Sequence, residues 1–173
     1  LNAKLIFRED WDLNRCVDEQ TDGCKIYYRN RPAINVEKGN SFCTFDNPYP
    51  DSYPQLQYAE IDLKTPLPSS LSSVSVSFWL RVKDMESLTQ DFRIFCNQAS
   101  GNEYNLQISL EQIREAGFGN ACRLRGRVGL ADNKFRERGK KNSIVFPNRW
   151  THVVLVYDSV NLALYQDGDA ETT

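Results

Sequence analysis

Between Ser73 and Lys83 apolar and polar residues alternate without a break. Val74, Val76, Phe78, Leu80 and Val82 fall on one parity, and Ser73, Ser75, Ser77, Trp79, Arg81 and Lys83 on the other. Successive side chains of a strand point to opposite faces, so this period of two is a strand with one face in a core and one toward solvent. The pattern recurs. Phe92, Ile94 and Cys96 share a parity, and Tyr104, Leu106, Ile108 and Leu110 alternate with Asn105, Gln107, Ser109 and Glu111. Leu124, Val128 and Leu130 oppose Arg123, Arg125 and Arg127. Val153, Leu155 and Tyr157 alternate with Val154 and Val156, which makes that strand apolar on both faces and places it centrally in its sheet. One stretch has two readings: Ser109 to Gly117 also fits a short helix, capped by Ser109 with Gln112 and ended by Gly117.

Punctuation between these runs supports an all-β chain. Asp167-Gly168 is the strongest hairpin turn, because Asp-Gly supplies the positive φ angles of a two-residue turn. Asn47 to Pro54 holds three prolines and reads as an irregular connection. Earlier, Lys25-Ile26-Tyr27-Tyr28-Arg29 is compatible with a strand. Many short strands with turns at this spacing specify a β-sandwich or barrel. The longest apolar run, Val153 to Tyr157, is far too short to span a bilayer.

Charge is unevenly distributed. The chain of 173 residues carries a formal net charge of −2, yet residues 114–149 hold ten Lys/Arg against three Asp/Glu. Arg123, Arg125 and Arg127 stand at i, i+2 and i+4, so in a strand their guanidinium groups share a face. Lys134, Arg136, Arg138, Lys140 and Lys141 follow in a hairpin or loop. Such rows suit sulfate and carboxylate groups, to which arginine offers a two-pronged fork. The bland alternative is a solvated face paired with Asp and Glu from the acidic N-terminal segment. Nucleic acid is disfavoured: the whole chain is acidic, and Phe118, Phe135 and Phe146 form no stacking platform.

The five cysteines are Cys16, Cys24, Cys43, Cys96 and Cys122, with no C-x-x-C pair, and His152 is the single histidine. A zinc site is therefore not expected. Spaced cysteines in a strand-rich chain point to disulfides and an oxidising compartment. Cys16 with Cys24 would close a small loop and Cys96 with Cys122 would tie neighbouring strands. Cys43 is then left unpaired or paired outside the chain. No Asn-x-Ser/Thr acceptor occurs.

Three segments carry a family resemblance. Val74 to Val82 resembles the "FSFW" strand of laminin-G-like and pentraxin-like domains, and Trp150 to Asp158 resembles their "W-x-H-V…Y-D" strand. Ala163 to Gly168 is similar to the Asp-Gly hairpin that follows. More faintly, Leu5 to Trp11 looks like the first strand of concanavalin A-like folds. The resemblance implies an antiparallel jelly-roll β-sandwich over residues 54–173, with residues 1–53 an irregular, cysteine-containing extension of the same domain. It also implies a secreted or cell-surface, non-catalytic module that binds glycan or protein ligands. Family members continue past the Asp-Gly turn, so the expectation is that further strands come from a longer protein or another chain. The start at Leu1, without Met, reads as processing. The structural alternative is an assembly module completed by a neighbour, with no small ligand.

Two enzymatic or metal-binding options remain. Glycoside hydrolases of this fold place acids in an E-x-D-x-x-E pattern, for which Glu60 and Asp62 give the first pair, but Thr65 stands where the third acid belongs. His152 lacks a nucleophile pattern beside it and reads as structural. Calcium, which takes oxygen ligands, would draw on Asp132-Asn133 or Asp158. These are too few and scattered to define a site.

Overall fold

A computed structural model describes residues 20–21, 24–38, 40–45, 58–63, 73–83, 92–98, 104–113, 121–129, 135–139 and 143–170. Leu5 to Trp11, Cys16, the proline-rich stretch 47–54 and Thr65 lie outside them, as do Leu130, Asp132, Asn133, Lys134, Lys140 and Lys141. Among the described residues all regular structure is strand, and no helix is long and apolar enough to cross a membrane.

The chain divides into two compact units, residues 1–67 and 68–173. In the first, β1 (Gln20–Thr21), β2 (Cys24–Arg29) and β5 (Tyr58–Leu63) form an antiparallel sheet in the order β1-β2-β5. The strands β3 (Ala33–Glu37) and β4 (Asn40–Thr44) pair as a separate hairpin. Glu60 and Asp62 sit in register with Tyr27 and Lys25, so β5 belongs to this unit through its pairing with β2.

The second unit contains two antiparallel sheets. One runs β14 (Asp169–Ala170), β13 (Leu162–Gln166), β12 (Thr151–Tyr157), β6 (Val74–Leu80). The other runs β10 (Phe135–Arg138), β9 (Cys122–Gly129), β8 (Tyr104–Gln112), β7 (Phe92–Gln98), with β11 (Ile144–Val145) also on β9. Alternation works as expected in β9, where Cys122, Leu124, Gly126 and Val128 are buried while Arg123, Arg125 and Arg127 are not. The strand β12 lies between β6 and β13, the central position expected of it, with Val153, Leu155 and Tyr157 buried and Val154 and Val156 half-buried.

The sheets face each other across a core of Leu106, Ile108, Leu110, Leu124, Val128, Val145, Val153, Leu155 and Leu164. Gly126 is one point of contact between them: a Cβ there would collide with Leu155 Cδ1, so the bare backbone of β9 gives room to a leucine of the opposite sheet. Two side chains stitch the seam. Arg138 Nε donates to the Leu162 carbonyl at 3.1 Å, and Gln166 Nε2 donates to that of Ile144 at 2.7 Å. The hairpin at Asp167-Gly168 has φ of 53° and 91°, the two positive angles its sequence demands.

Two readings are resolved or corrected. The helix alternative at Ser109 gives way to β8 through Gln112, because Ser109 and Leu110 pair with both β7 and β9 and Glu111 and Gln112 with β9, while residues 114–117 lie outside the described residues. In β7 the register shifts between Arg93 and Phe95, a bulge that moves later side chains to the opposite face. Phe95 therefore pairs with buried Ile108, and Cys96 is exposed rather than sharing a core face with Ile94.

That bulge also bears on the cysteines. Cys96 and Cys122 are free thiols, which overturns their expected disulfide. Cys96 lies opposite Gln107, itself opposite Arg127, and Cys122 is five residues further along β9, roughly 17 Å at strand rise. A disulfide needs Cα atoms within about 7 Å. Cys43 is disulfide-bonded, against its expected role as the spare thiol. The Cys16–Cys24 pairing falls outside the described side chains. Burial pushes the Cys122 thiol up to about 11, so it holds little thiolate at neutral pH. Iodoacetamide at mildly alkaline pH is accordingly expected to label Cys96 in the native protein and Cys122 only after denaturation. Equal labelling rates would contradict this packing.

Candidate functional site

The outer face of the second unit's larger sheet is built by register. Opposite residues of antiparallel strands point the same way, so Arg127 shares its face with Gln107 and Glu137, Arg125 with Ser109, and Arg123 with Glu111. Arg93 joins them through its pairing with Ser109. Four arginines and two glutamates thus occupy this face among the described residues.

The glutamates interleave with the arginine row. Arg123 and Arg125 approach Glu111 at 3.9 and 3.1 Å, while Arg125 and Arg127 approach Glu137 at 3.6 and 2.7 Å. Arg127 donates from both Nε and Nη2 to Glu137 Oε2 and lies 4.2 Å above the exposed Phe135 ring. These ion pairs are partly buried, with side chains 21–39% exposed, and surface pairs contribute only about 0–1 kcal/mol each. Their larger effect is geometric, holding the guanidinium planes in fixed orientations along roughly 13 Å of strand. Among the described residues these carboxylates come from the flanking strands β8 and β10.

Arg136 and Arg138 part company with this row. They pair with Val128 and Gly126, whose direction is inward, so they leave β10 on the core side at the sheet's edge. Together with Glu137 and Leu162 they line an open cleft of about 290 Å³ between β10 and β13. The five described basic candidates thus occupy two faces rather than one patch.

The outer face of the other sheet is aromatic. Trp79 is 63% exposed and stacks on His152, with ring centroids 4.9 Å apart and planes at 29°. Ser77 Oγ and His152 Nε2 lie 2.9 Å apart, a contact created by the pairing of β6 with β12. That distance is one at which a nucleophile meets a base, and no local sequence pattern signals it. The nearby Asp167 carboxylate is engaged elsewhere. Asp167 accepts from the His152 backbone N–H at 2.8 Å and meets Arg149 at 3.5 Å, so its carboxylate does not orient the imidazole. His152 instead links Ser77 to the Trp79 ring.

Of the proposed calcium ligands Asp132 and Asn133 lie outside the described residues, and Asp158 has another role. Asp158 Oδ1 accepts the backbone N–H groups of Val160 and Asn161 at 2.9 and 2.5 Å. These bonds hold its carboxyl below the usual carboxylate range. Among the described residues no three His, Cys, Asp or Glu side chains converge as a metal site.

Comparison with protein families places this geometry. Residues 56–173 match the laminin G-type model described as the concanavalin A-like lectin/glucanases superfamily. No curated protein and no solved structure matches the chain.

Proposed function

The chain belongs to the concanavalin A-like lectin/glucanases superfamily, and from that premise we propose that it is a non-catalytic, extracellular binding module that recognises anionic glycans. The observation that carries this reading is the row Arg123, Arg125 and Arg127, joined by Arg93 on one partly exposed sheet surface. Glu111 and Glu137 separate the guanidinium groups and set their planes. Such a row is preorganised for successive sulfate or carboxylate groups of an extended polymer, because little side-chain freedom remains to be lost on binding. The disulfide at Cys43 accords with an oxidising compartment.

Heparin-affinity chromatography tests the reading. At low ionic strength the protein is retained and elutes as salt screens the contact. Retention is abolished when Arg123→Gln, Arg125→Gln and Arg127→Gln are combined. Lysine at the same three positions keeps part of it, since charge survives while the fork is lost. Passage of the unaltered protein without retention would overturn the proposal. That outcome favours the second reading, an assembly module, whose support is that β6 pairs only with β12 among the described residues and stands at its sheet's edge.

A further inference from the structure

We infer that the cleft between β10 and β13 is a separate site for one compact oxyanion, a sulfate or carboxylate group, held by Arg136 and Arg138. It shares with the proposed function only the class of ligand, because these side chains leave β10 on the side opposite Arg127. The register is decisive. Glu137 also borders the cleft, but its carboxylate is committed to Arg125 and Arg127 at 3.6 and 2.7 Å, so it makes no ion pair with Arg136 or Arg138. Leu162, which lines the cleft, is buried, and its carbonyl accepts from Arg138 Nε at 3.1 Å.

That bond determines what the cleft can take. Arg138 is tethered by Nε to the opposite sheet, which fixes its plane and leaves its terminal nitrogens as donors. Arg136, two residues back on the same side of the strand, makes no ion pair among the described residues. Two guanidinium groups at i and i+2, one of them already oriented, converge on a volume of about 290 Å³. Charge-assisted hydrogen bonds from both to one oxyanion are the interaction this arrangement favours. A cation would meet two like charges, and a purely apolar ligand would strip water from guanidinium groups without replacing its hydrogen bonds. The outer row suits a run of charges; the cleft suits a single one.

The test is a titration of the whole chain with sodium sulfate and, separately, sodium acetate, replacing chloride at constant ionic strength. The readout is the arginine Nε–Hε resonances. The expected result is a saturable shift at Arg136 and Arg138 with a midpoint on the order of 1–10 mM, the strength of a few charge-assisted contacts after the cost of association. Saturation by sulfate alone or acetate alone identifies which oxyanion the cleft accepts. Arg136→Gln, which leaves the Arg138 tether to Leu162 in place, weakens the response at Arg138 at least about fivefold on losing one of two charged donors. Arg123→Gln with Arg125→Gln leaves it unchanged. Shifts that stay linear in both salts, or that saturate undiminished in Arg136→Gln, would overturn the inference. Heparin retention and the oxyanion response are separable: loss of the first with survival of the second defeats only the outer-face reading.

Discussion

Leu155→Ala is expected to lower the unfolding free energy of the second unit by about 2–5 kcal/mol, the range for truncating a fully buried leucine. Leu155 is 1% exposed at the middle of β12, in register with Val76 on one side and Leu164 on the other. Its δ-methyl groups fill the hollow above Gly126 on the facing sheet. Neither strand is free to collapse into the space vacated, since β12 is hydrogen-bonded by β6 and β13, and β9 by β8 on one side and β10 and β11 on the other. The cavity term is therefore retained instead of relaxing away. Small domains have total stabilities of about 5–15 kcal/mol, so the loss is a large fraction of the whole. Urea denaturation reads it as a lower midpoint with an unchanged slope.

Gly126→Val attacks the same contact from the other sheet, and two effects oppose each other. Valine is a better strand former than glycine, a preference worth up to about 1 kcal/mol. Against it, the first added carbon already lands on Leu155 Cδ1, and valine adds two more. Leu155 must leave its rotamer in a closely packed core, or the sheets must separate, at about 1–3 kcal/mol. Packing wins, so the variant is less stable than the parent. Arg125 and Arg127 flank position 126 on the opposite face, so heparin retention is expected to weaken along with stability.

The parts of this fold that the sequence made legible are those governed by nearest neighbours. Alternation located β6, β8, β9 and β12, and the double apolar parity of Val153 to Tyr157 identified a central strand. Asp167-Gly168 identified its turn, because a positive φ pair is a property of two residues. What escaped depends on pairing between distant segments. The bulge in β7 leaves no mark in Phe92 to Cys96, yet it moved Cys96 out of the core, and the expected disulfide fails because register sets Cys96 five positions from Cys122 along β9. The basic candidates looked like one patch because parity cannot be carried from Arg127 across the connection to Arg136. Only the register of β9 with β10 shows that Glu137, not Arg136 or Arg138, sides with the arginine row. The Ser77–His152–Trp79 cluster is likewise a product of β6–β12 pairing between residues 75 positions apart. Within the described chain, chemistry was readable one strand at a time and its assembly was not.

A double-mutant cycle on Gly126→Val and Leu155→Ala measures most directly whether the two sheets lie face to face. Valine at 126 partly occupies the space that alanine at 155 opens, so the double variant is expected to be more stable than the two single losses summed, by about 0.5–3 kcal/mol. Losses that add to within about 0.3–0.5 kcal/mol would mean that the residues do not touch, and the sandwich described here would be wrong.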